Sequence, residues 1–292
     1  MLRLDLLHAE ISGNKWFKLK ENFALAKIQG FNRVLTFGGA FSNHIAATAA
    51  ASKAFGFESI GVIRGEDADL NNPTLQLAVS QGMQLHLVGR DQYLLKGDSD
   101  FIQNLQHLYG SFYLIPEGGN NLQGMIGCKD ILQQNTFYDY VFCACGTGTT
   151  MAGLVAANTG AVVVGISVLK GRNQLPDEAQ RLLNQAYPNN TFHVLGNEIL
   201  DREFLNQHCI LSTYAYSGYA RYDEEVVRVK RHFAEQFAVP LDFVYTAKLM
   251  LGVQDLLERQ KIPVGARVLI IHSGGLQGNP GFEARYQAKL AR

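Results

Sequence analysis

The chain has 292 residues, with 26 Lys and Arg against 26 Asp and Glu, so its formal net charge is 0 and 18% of it is charged. That length buries a sizeable core in one or two domains. A hydrophobic share of 47%, only 7 prolines and no apolar run of membrane-spanning length exclude a disordered chain and a bilayer span, while the neutral charge removes the footprint of a nucleic-acid binder.

Short apolar runs alternate with stretches of helical period, the pattern of βαβ units and parallel sheets. In chain order the expected elements are strand Arg33–Phe37, helix Ser42–Phe55, strand Ser59–Arg64, helix Pro73–Gln81 and strands Gln84–Val88 and Phe112–Ile115. Helix Asn121–Gln134, strand Tyr138–Ala144, helix Thr149–Asn158 and strand Ala161–Val168 follow. The last part predicts helices Asp177–Tyr187, Asp223–Phe237 and Met250–Gln260 and strand Arg267–His272. No repeat, low-complexity segment or Pro/Ser linker interrupts this order, and Ile115-Pro116-Glu117-Gly118-Gly119 is the best candidate for a crossing between domains.

Four cysteines (Cys128, Cys143, Cys145, Cys209) are too few for a disulfide framework. Cys143 and Cys145 alternate along an expected buried strand, where free cysteine acts as a small apolar residue, and no second Cys/His pair stands at zinc spacing; no metal is expected. Met1–Asp5 carries one Arg and one Asp with no apolar segment of a signal peptide after it, so the chain reads as cytoplasmic.

Strand ends carry the chemistry. Phe37-Gly38-Gly39-Ala40-Phe41-Ser42-Asn43, Cys145-Gly146-Thr147-Gly148-Thr149-Thr150 and Ile271-His272-Ser273-Gly274-Gly275 each run from an apolar strand into glycines and hydroxyls. In open parallel sheets the crevice at the carboxyl ends of strands is where ligands bind. Gly146 to Gly153 holds three glycines and three threonines at a strand-to-helix turn. Such a turn brings backbone N–H groups, hydroxyls and the positive end of a helix to an anion, and so cradles a phosphate. It lacks the Gly-Lys-Ser/Thr of a nucleotide loop. It also lacks the dinucleotide fingerprint, because Met151 replaces the third glycine and Ser167 and Val168 stand where an acidic residue is needed.

Near the start, Gly13-Asn14-Lys15-Trp16-Phe17 places a lysine among glycine, amide and aromatics instead of the usual polar neighbours. A buried lysine near other cations, here Lys18 and Lys20, has a lowered pKa and forms Schiff bases. A captured aldehyde, a bonded phenolic oxygen and a cradled phosphate are what pyridoxal phosphate needs, and Lys15, Ser42-Asn43 and the Gly/Thr turn offer one each.

Taken in order, Ser12-Gly13-Asn14-Lys15, Gly38-Gly39-Ala40-Phe41-Ser42-Asn43-His44, Gly146 to Gly153, Tyr245-Thr246-Ala247-Lys248 and His272-Ser273-Gly274-Gly275 resemble the 1-aminocyclopropane-1-carboxylate deaminase/D-cysteine desulfhydrase family over nearly the whole chain. The resemblance implies two doubly wound α/β open-sheet domains of the tryptophan synthase β-like type, with pyridoxal phosphate in the interdomain cleft. It implies a small domain at 20–116, a large one at 1–19 and 117–292, and a homodimer. It makes Lys15 the cofactor's lysine and Ser42 the serine near the substrate carboxylate. Asn43 becomes the partner of the phenolic oxygen, Gly146, Thr147, Gly148, Thr149 and Thr150 the phosphate loop, and Tyr219 and Tyr245 the two active-site tyrosines.

Three departures matter. The deaminases carry Glu after the second tyrosine and Leu in the last Gly-Gly motif, where this chain has Thr246 and Ser273. A carboxylate beside the pyridine nitrogen makes a strong electron sink, as cyclopropane opening requires. A hydroxyl makes a weaker one that suffices for α-proton removal and β-elimination. The expected activity is therefore that of a lyase acting on a small amino acid, D-cysteine going to pyruvate, sulfide and ammonia, ahead of 1-aminocyclopropane-1-carboxylate deamination and of a catalytically idle ligand-binding homologue. Either Thr246 or Ser273 is the nitrogen's partner. Trp16-Phe17 replaces a small or polar residue followed by Arg, which is expected to alter the pocket wall. The family also carries a further segment ahead of the strand expected at Leu2–Leu7, a segment that would cover apolar surface.

Overall fold

The computed structural model describes residues 1–132 and 137–291. The chain opens with β1 (Leu2–Arg3), a 3-10 turn at Leu4–Leu6 and α1 (Asn14–Ile28). Next come β2 (Arg33–Gly39), α2 (Asn43–Phe55), β3 (Glu58–Arg64), α3 (Pro73–Ser80), β4 (Met83–Val88), α4 (Arg90–Leu94), α5 (Ser99–Tyr109) and β5 (Tyr113–Ile115). A 3-10 turn at Glu117–Gly119 leads to α6 (Leu122–Lys129), β6 (Tyr140–Cys145), α7 (Thr149–Ala156), β7 (Val162–Ser167), α8 (Leu175–Ala186) and β8 (Cys209–Leu211). The last elements are α9 (Glu224–Phe237), α10 (Thr246–Glu258), β9 (Val268–His272) and α11 (Asn279–Leu290).

Two parallel sheets result, in the order β4-β3-β2-β5 and β1-β9-β6-β7-β8. This is the expected two-sheet α/β architecture. In each sheet the chain winds outward from one strand and later returns to that strand's other side. The reversal falls at β2 in one sheet and at β6 in the other, the strands that end in Gly38-Gly39 and Cys145-Gly146. Crevices open at such reversals.

Helices cover both faces, and local sequence explains their ends. α2 is Ala-rich and mostly buried; Ser42 caps its start and left-handed Gly56 closes it. All of α7 is buried, as befits a helix between sheet and neighbouring helices. α6 is wedged between α1 and α7 by glycine. A Cβ at Gly127 would lie 2.0 Å from Phe17 O, and one at Gly153 would lie 2.5 Å from Cys128 Cβ. α1 runs unbroken past residue 20, so the chain passes from one sheet towards the other along a helix.

Several elements differ from expectation. α1, α4, α5, α11 and β8 were not anticipated. α1 sends Leu19 and Phe23 to the core beside β2 and β5, and Phe17 to the core beside β6, while Asn14, Lys18 and Asn22 are also buried. A helix buried on several faces shows no single apolar stripe. The expected N-terminal strand stops at Arg3, because Leu4 O turns to accept from Leu7 N and Gly13 N. α10 starts at Thr246 and not at Met250, for a reason given below. Gln133 and Gln134, the expected end of the Asn121–Gln134 helix, lie outside the described residues. No helix among the described residues is long and apolar enough to cross a membrane.

Candidate active site

Lys15 stands in the first turn of α1, and backbone contacts fix its approach. Gly13 has φ +69°, and a Cβ there would lie 1.9 Å from Ser273 O. Asn14 N then donates to that same Ser273 O at 3.2 Å. The lysine motif and the last Gly-Gly motif are thus in direct contact, as β1 and β9 are through Leu2↔Ile271. Lys15 Nζ donates to Asn14 Oδ1 at 3.0 Å, while Asn14 Nδ2 donates to Thr150 Oγ1 at 2.8 Å. One amide therefore joins the lysine to the Gly/Thr turn.

That turn has the shape of a cradle. Gly148 has φ +72° and leads into α7, and a Cβ at Gly146 would meet the Tyr245 ring at 3.3 Å. Lys18 Nζ donates to Gly118 O at 3.1 Å and to Thr147 Oγ1 at 3.4 Å. Thr149 gives its hydroxyl proton to Asn120 Oδ1 at 2.6 Å, so in the 2.9 Å contact between the two threonines it is Thr147 that donates. The chain of donors runs from Lys18 through Thr147 and Thr149 and ends on the acceptor Asn120 Oδ1.

Lys18 is buried, and its charge acts on its neighbour one helical turn away. Burial, with the Lys18 charge second, lowers the Lys15 amine to about 7; burial likewise lowers Lys18 itself. An uncharged Lys15 amine is then well populated at neutral pH. Tyr219 keeps 39% of its surface exposed, yet its phenol lies deep enough that burial pushes it up to about 12. Burial also raises the Tyr245 phenol well above its ordinary value, with Tyr219 adding to the effect. Both tyrosines therefore keep their protons through the neutral range.

Asn43, Tyr219 and Tyr245 line one cavity, together with Phe41, Asp242 and Arg285. Asn43 Oδ1 is buried without a hydrogen-bond partner among the described residues. Ser42 Oγ accepts from Ile45 N at 3.4 Å, so the serine caps the helix that carries Asn43. Ser273 joins the site through its carbonyl.

Thr246 comes close but its hydroxyl is taken. Thr246 Oγ1 donates to Asp242 Oδ1 at 2.7 Å and accepts from Asp242 N at 2.7 Å. Asp242 also collects Val244 N, Tyr245 N and Thr246 N on its two oxygens. A carboxylate that gathers a helix's first N–H groups sets where the helix begins, so α10 starts four residues earlier than its apolar pattern suggests. Trp16 stacks on His8 at 5.6 Å and packs on the core beside β2, while Phe17 packs on the core beside β6; neither lines the cavity.

Asn14, Asn120 and Asp242 were not assigned roles from sequence; of the two cations expected to lower the Lys15 pKa, Lys18 does so, whereas Lys20 pairs with Asp130. The contact of Lys18 with the Gly/Thr turn was not expected, though the i,i+3 spacing of α1 puts Lys15 and Lys18 on one face.

An amine held near neutrality, a glycine-threonine cradle beside a buried cation, and an unpaired amide at the strand ends of two parallel sheets define a class. It is an α/β enzyme built around an aldehyde cofactor with a phosphate arm. The chain belongs to the family described as pyridoxal-phosphate dependent enzyme, whose pattern matches residues 2–274. It is 30% identical over 290 residues to a putative 1-aminocyclopropane-1-carboxylate deaminase of Thermotoga maritima, covering 94% of this chain and 88% of that one. It is 27% identical over 288 residues to a protein of the same name from Pyrococcus abyssi, covering 94% and 84%. It is also 29% identical over 302 residues to the mitochondrial bifunctional D-cysteine desulfhydrase/1-aminocyclopropane-1-carboxylate deaminase of Arabidopsis thaliana, covering 94% and 72%. Among solved structures it superposes on an ACC deaminase homologue with TM-score 0.78 and 26% identity, over 99% of this chain and 86% of that one. The fold is tryptophan synthase β-like, and the enzyme depends on pyridoxal phosphate.

Proposed function

We propose that this enzyme removes the α-proton of a small D-amino acid and expels its β-substituent, with D-cysteine and water giving pyruvate, sulfide and ammonia. The observation that carries this reading is the side-chain chemistry at 246 and 273: both positions bear hydroxyls, and the Thr246 hydroxyl is already bound to Asp242. Ser273 is then the partner for the ring nitrogen, and a serine makes a mild electron sink. The Asp242 carboxylate is already occupied by four donors, all from its own neighbourhood in the chain.

Pyridoxal phosphate, when bound, supplies the electron sink that makes an α-proton acidic. Lys15 holds it, Asn43 bonds its phenolic oxygen, and Gly146 to Thr150 with Lys18 hold its phosphate. Lys15 Nζ, in the uncharged form that its lowered pKa makes accessible at neutral pH, takes the α-proton. Ser42 orients the substrate carboxylate. Tyr219 or Tyr245, each still protonated, supplies a proton to the departing sulfur. The division of the chain into 20–116 and the remainder, with α1 as the crossing helix, and assembly as a homodimer belong to the same reading.

The names of most relatives favour a second reading, deamination of 1-aminocyclopropane-1-carboxylate. Product analysis of the loaded enzyme separates the two. Equal amounts of sulfide and pyruvate from D-cysteine support β-elimination. Formation of 2-oxobutanoate from the cyclopropane amino acid, with no sulfide from D-cysteine, replaces the first reading by the second. No product from either substrate removes both.

A further inference from the structure

Lys248 is the last residue of the Tyr245-Thr246-Ala247-Lys248 motif, and no step above uses it. It is 1% exposed, and its ammonium has three protons and three acceptors. Nζ donates to Val168 O at 3.1 Å, Ala215 O at 2.9 Å and Gly218 O at 2.6 Å. Val168 follows directly on β7, and Ala215 and Gly218 belong to the loop that presents Tyr219 to the cavity.

That loop is strained. Tyr216 has φ +49° and Ala220 φ +48°, unusual for residues with a Cβ, with Gly218 at φ +97° between them. Such a backbone persists only where its surroundings over-determine it. Gly218 N closes the turn on Ala215 O at 3.0 Å, and Lys248 binds that same carbonyl. Tyr286 OH donates to Ala220 O at 3.3 Å on the far side. A buried ammonium is costly unless fully bonded, and carbonyls that converge on one keep their positions.

We propose that Lys248 is a positioning residue: its ammonium ties the 215–218 turn to the end of β7 and so aims Tyr219 at the substrate. The catalytic part of this rests on the role proposed for Tyr219. The tie itself stands on the three hydrogen bonds. Burial lowers the Lys248 amine to about 8, while Asp223 and Asp242 oppose the shift, so the ammonium form holds the turn at neutral pH.

The test uses the pyridoxal-phosphate-loaded enzyme and the variants Lys248→Met, Lys248→Gln, Tyr219→Phe and Lys248→Met/Tyr219→Phe. Hydrogen exchange of the peptide covering 213–222 is expected to speed up about tenfold or more in Lys248→Met, with β6 and α2 unchanged. The visible absorbance of the bound cofactor stays as in the parent. With whichever of D-cysteine or 1-aminocyclopropane-1-carboxylate is turned over, kcat falls about 100-fold while KM moves little, and Lys248→Met adds no further loss once Tyr219 is Phe. Unchanged exchange at 213–222 overturns the tie, and a loss that multiplies fully with Tyr219→Phe overturns the positioning role. If neither Lys248 variant folds, Lys248 serves the fold at large and the proposal fails. A fully active Tyr219→Phe removes the role of Tyr219, whereas the exchange data still judge the tie.

Discussion

Thr246 and Asp242 are bound to each other three times, Thr246 hydroxyl and Thr246 amide to the carboxylate and Asp242 amide to the hydroxyl, each at 2.7 Å. Both residues are buried, so the pair is shielded from water. Thr246→Val strips a donor from a buried carboxylate and an acceptor from a buried N–H, and is expected to cost about 1–3 kcal/mol of stability. Its main effect is then on the denaturation midpoint. Ser273→Ala is expected to leave the midpoint nearly unchanged and to lower turnover. Equal effects of the two changes on turnover would count against Ser273 as the ring nitrogen's partner.

Lys15 titrates at about 7 because it is buried near a second lysine. An uncharged amine captures an aldehyde and an ammonium does not. Uptake of pyridoxal phosphate by the apo-enzyme is therefore expected to rise with pH, half-maximal at about 7, and then to level off. Lys18→Met removes the second cause of the lowering, so the midpoint moves upward. Stopped-flow absorbance across a pH series checks both. A midpoint unmoved by Lys18→Met would remove the charge coupling.

Gly13 leaves no room for a methyl group, since Ser273 O occupies the place a Cβ would take, and its φ of +69° disfavours any other residue. Gly13→Ala is expected to destabilise the protein by more than about 1 kcal/mol and to weaken cofactor binding together with it. Denaturant unfolding and absorbance titration measure the two losses. Intact stability in this variant would mean that the contact yields at little cost.

Asn14 spans Lys15 and Thr150 with its two amide ends. Asn14→Leu keeps the volume and loses both bonds, which frees the lysine relative to the phosphate cradle. A reacting group displaced by about 1 Å costs roughly 100-fold in rate. The variant is expected to bind cofactor with near-parental absorbance while kcat falls by that order. Asn14→Asp, which still accepts from Lys15, is expected to lose less.

Much of the fold and the neighbourhood of the site was legible in sequence, because glycines with special demands gather where strands end. Gly146 sits tight under the Tyr245 ring, and Gly148 at φ +72° and Gly275 at φ +99° against Asp242 hold backbone that favours glycine. Their hydroxyl and amide neighbours follow from the chemistry of a cradled anion. The rest was hidden for identifiable reasons. α1 is buried on several faces and shows no stripe, so Lys18 was not seen to share a face with Lys15. Asp242 acts through N–H groups of residues after it, and a cap of that kind leaves little mark in the pattern of apolar residues. The contrast between Thr246 and Ser273 depends on where one proton points.

The meeting of Gly13 with Ser273, and of β1 with β9, also has a meaning in time. A ribosome releases the lysine segment well before its partner strand β9. The sheet of β2 to β5, whose strands are consecutive, is complete long before β9 emerges. Until then β6 lacks a neighbour on one side and the segment carrying Lys15 has nowhere to dock. Catalytic competence in this chain therefore waits for β9, and a nascent chain stalled before that strand emerges would be folded in part and chemically silent.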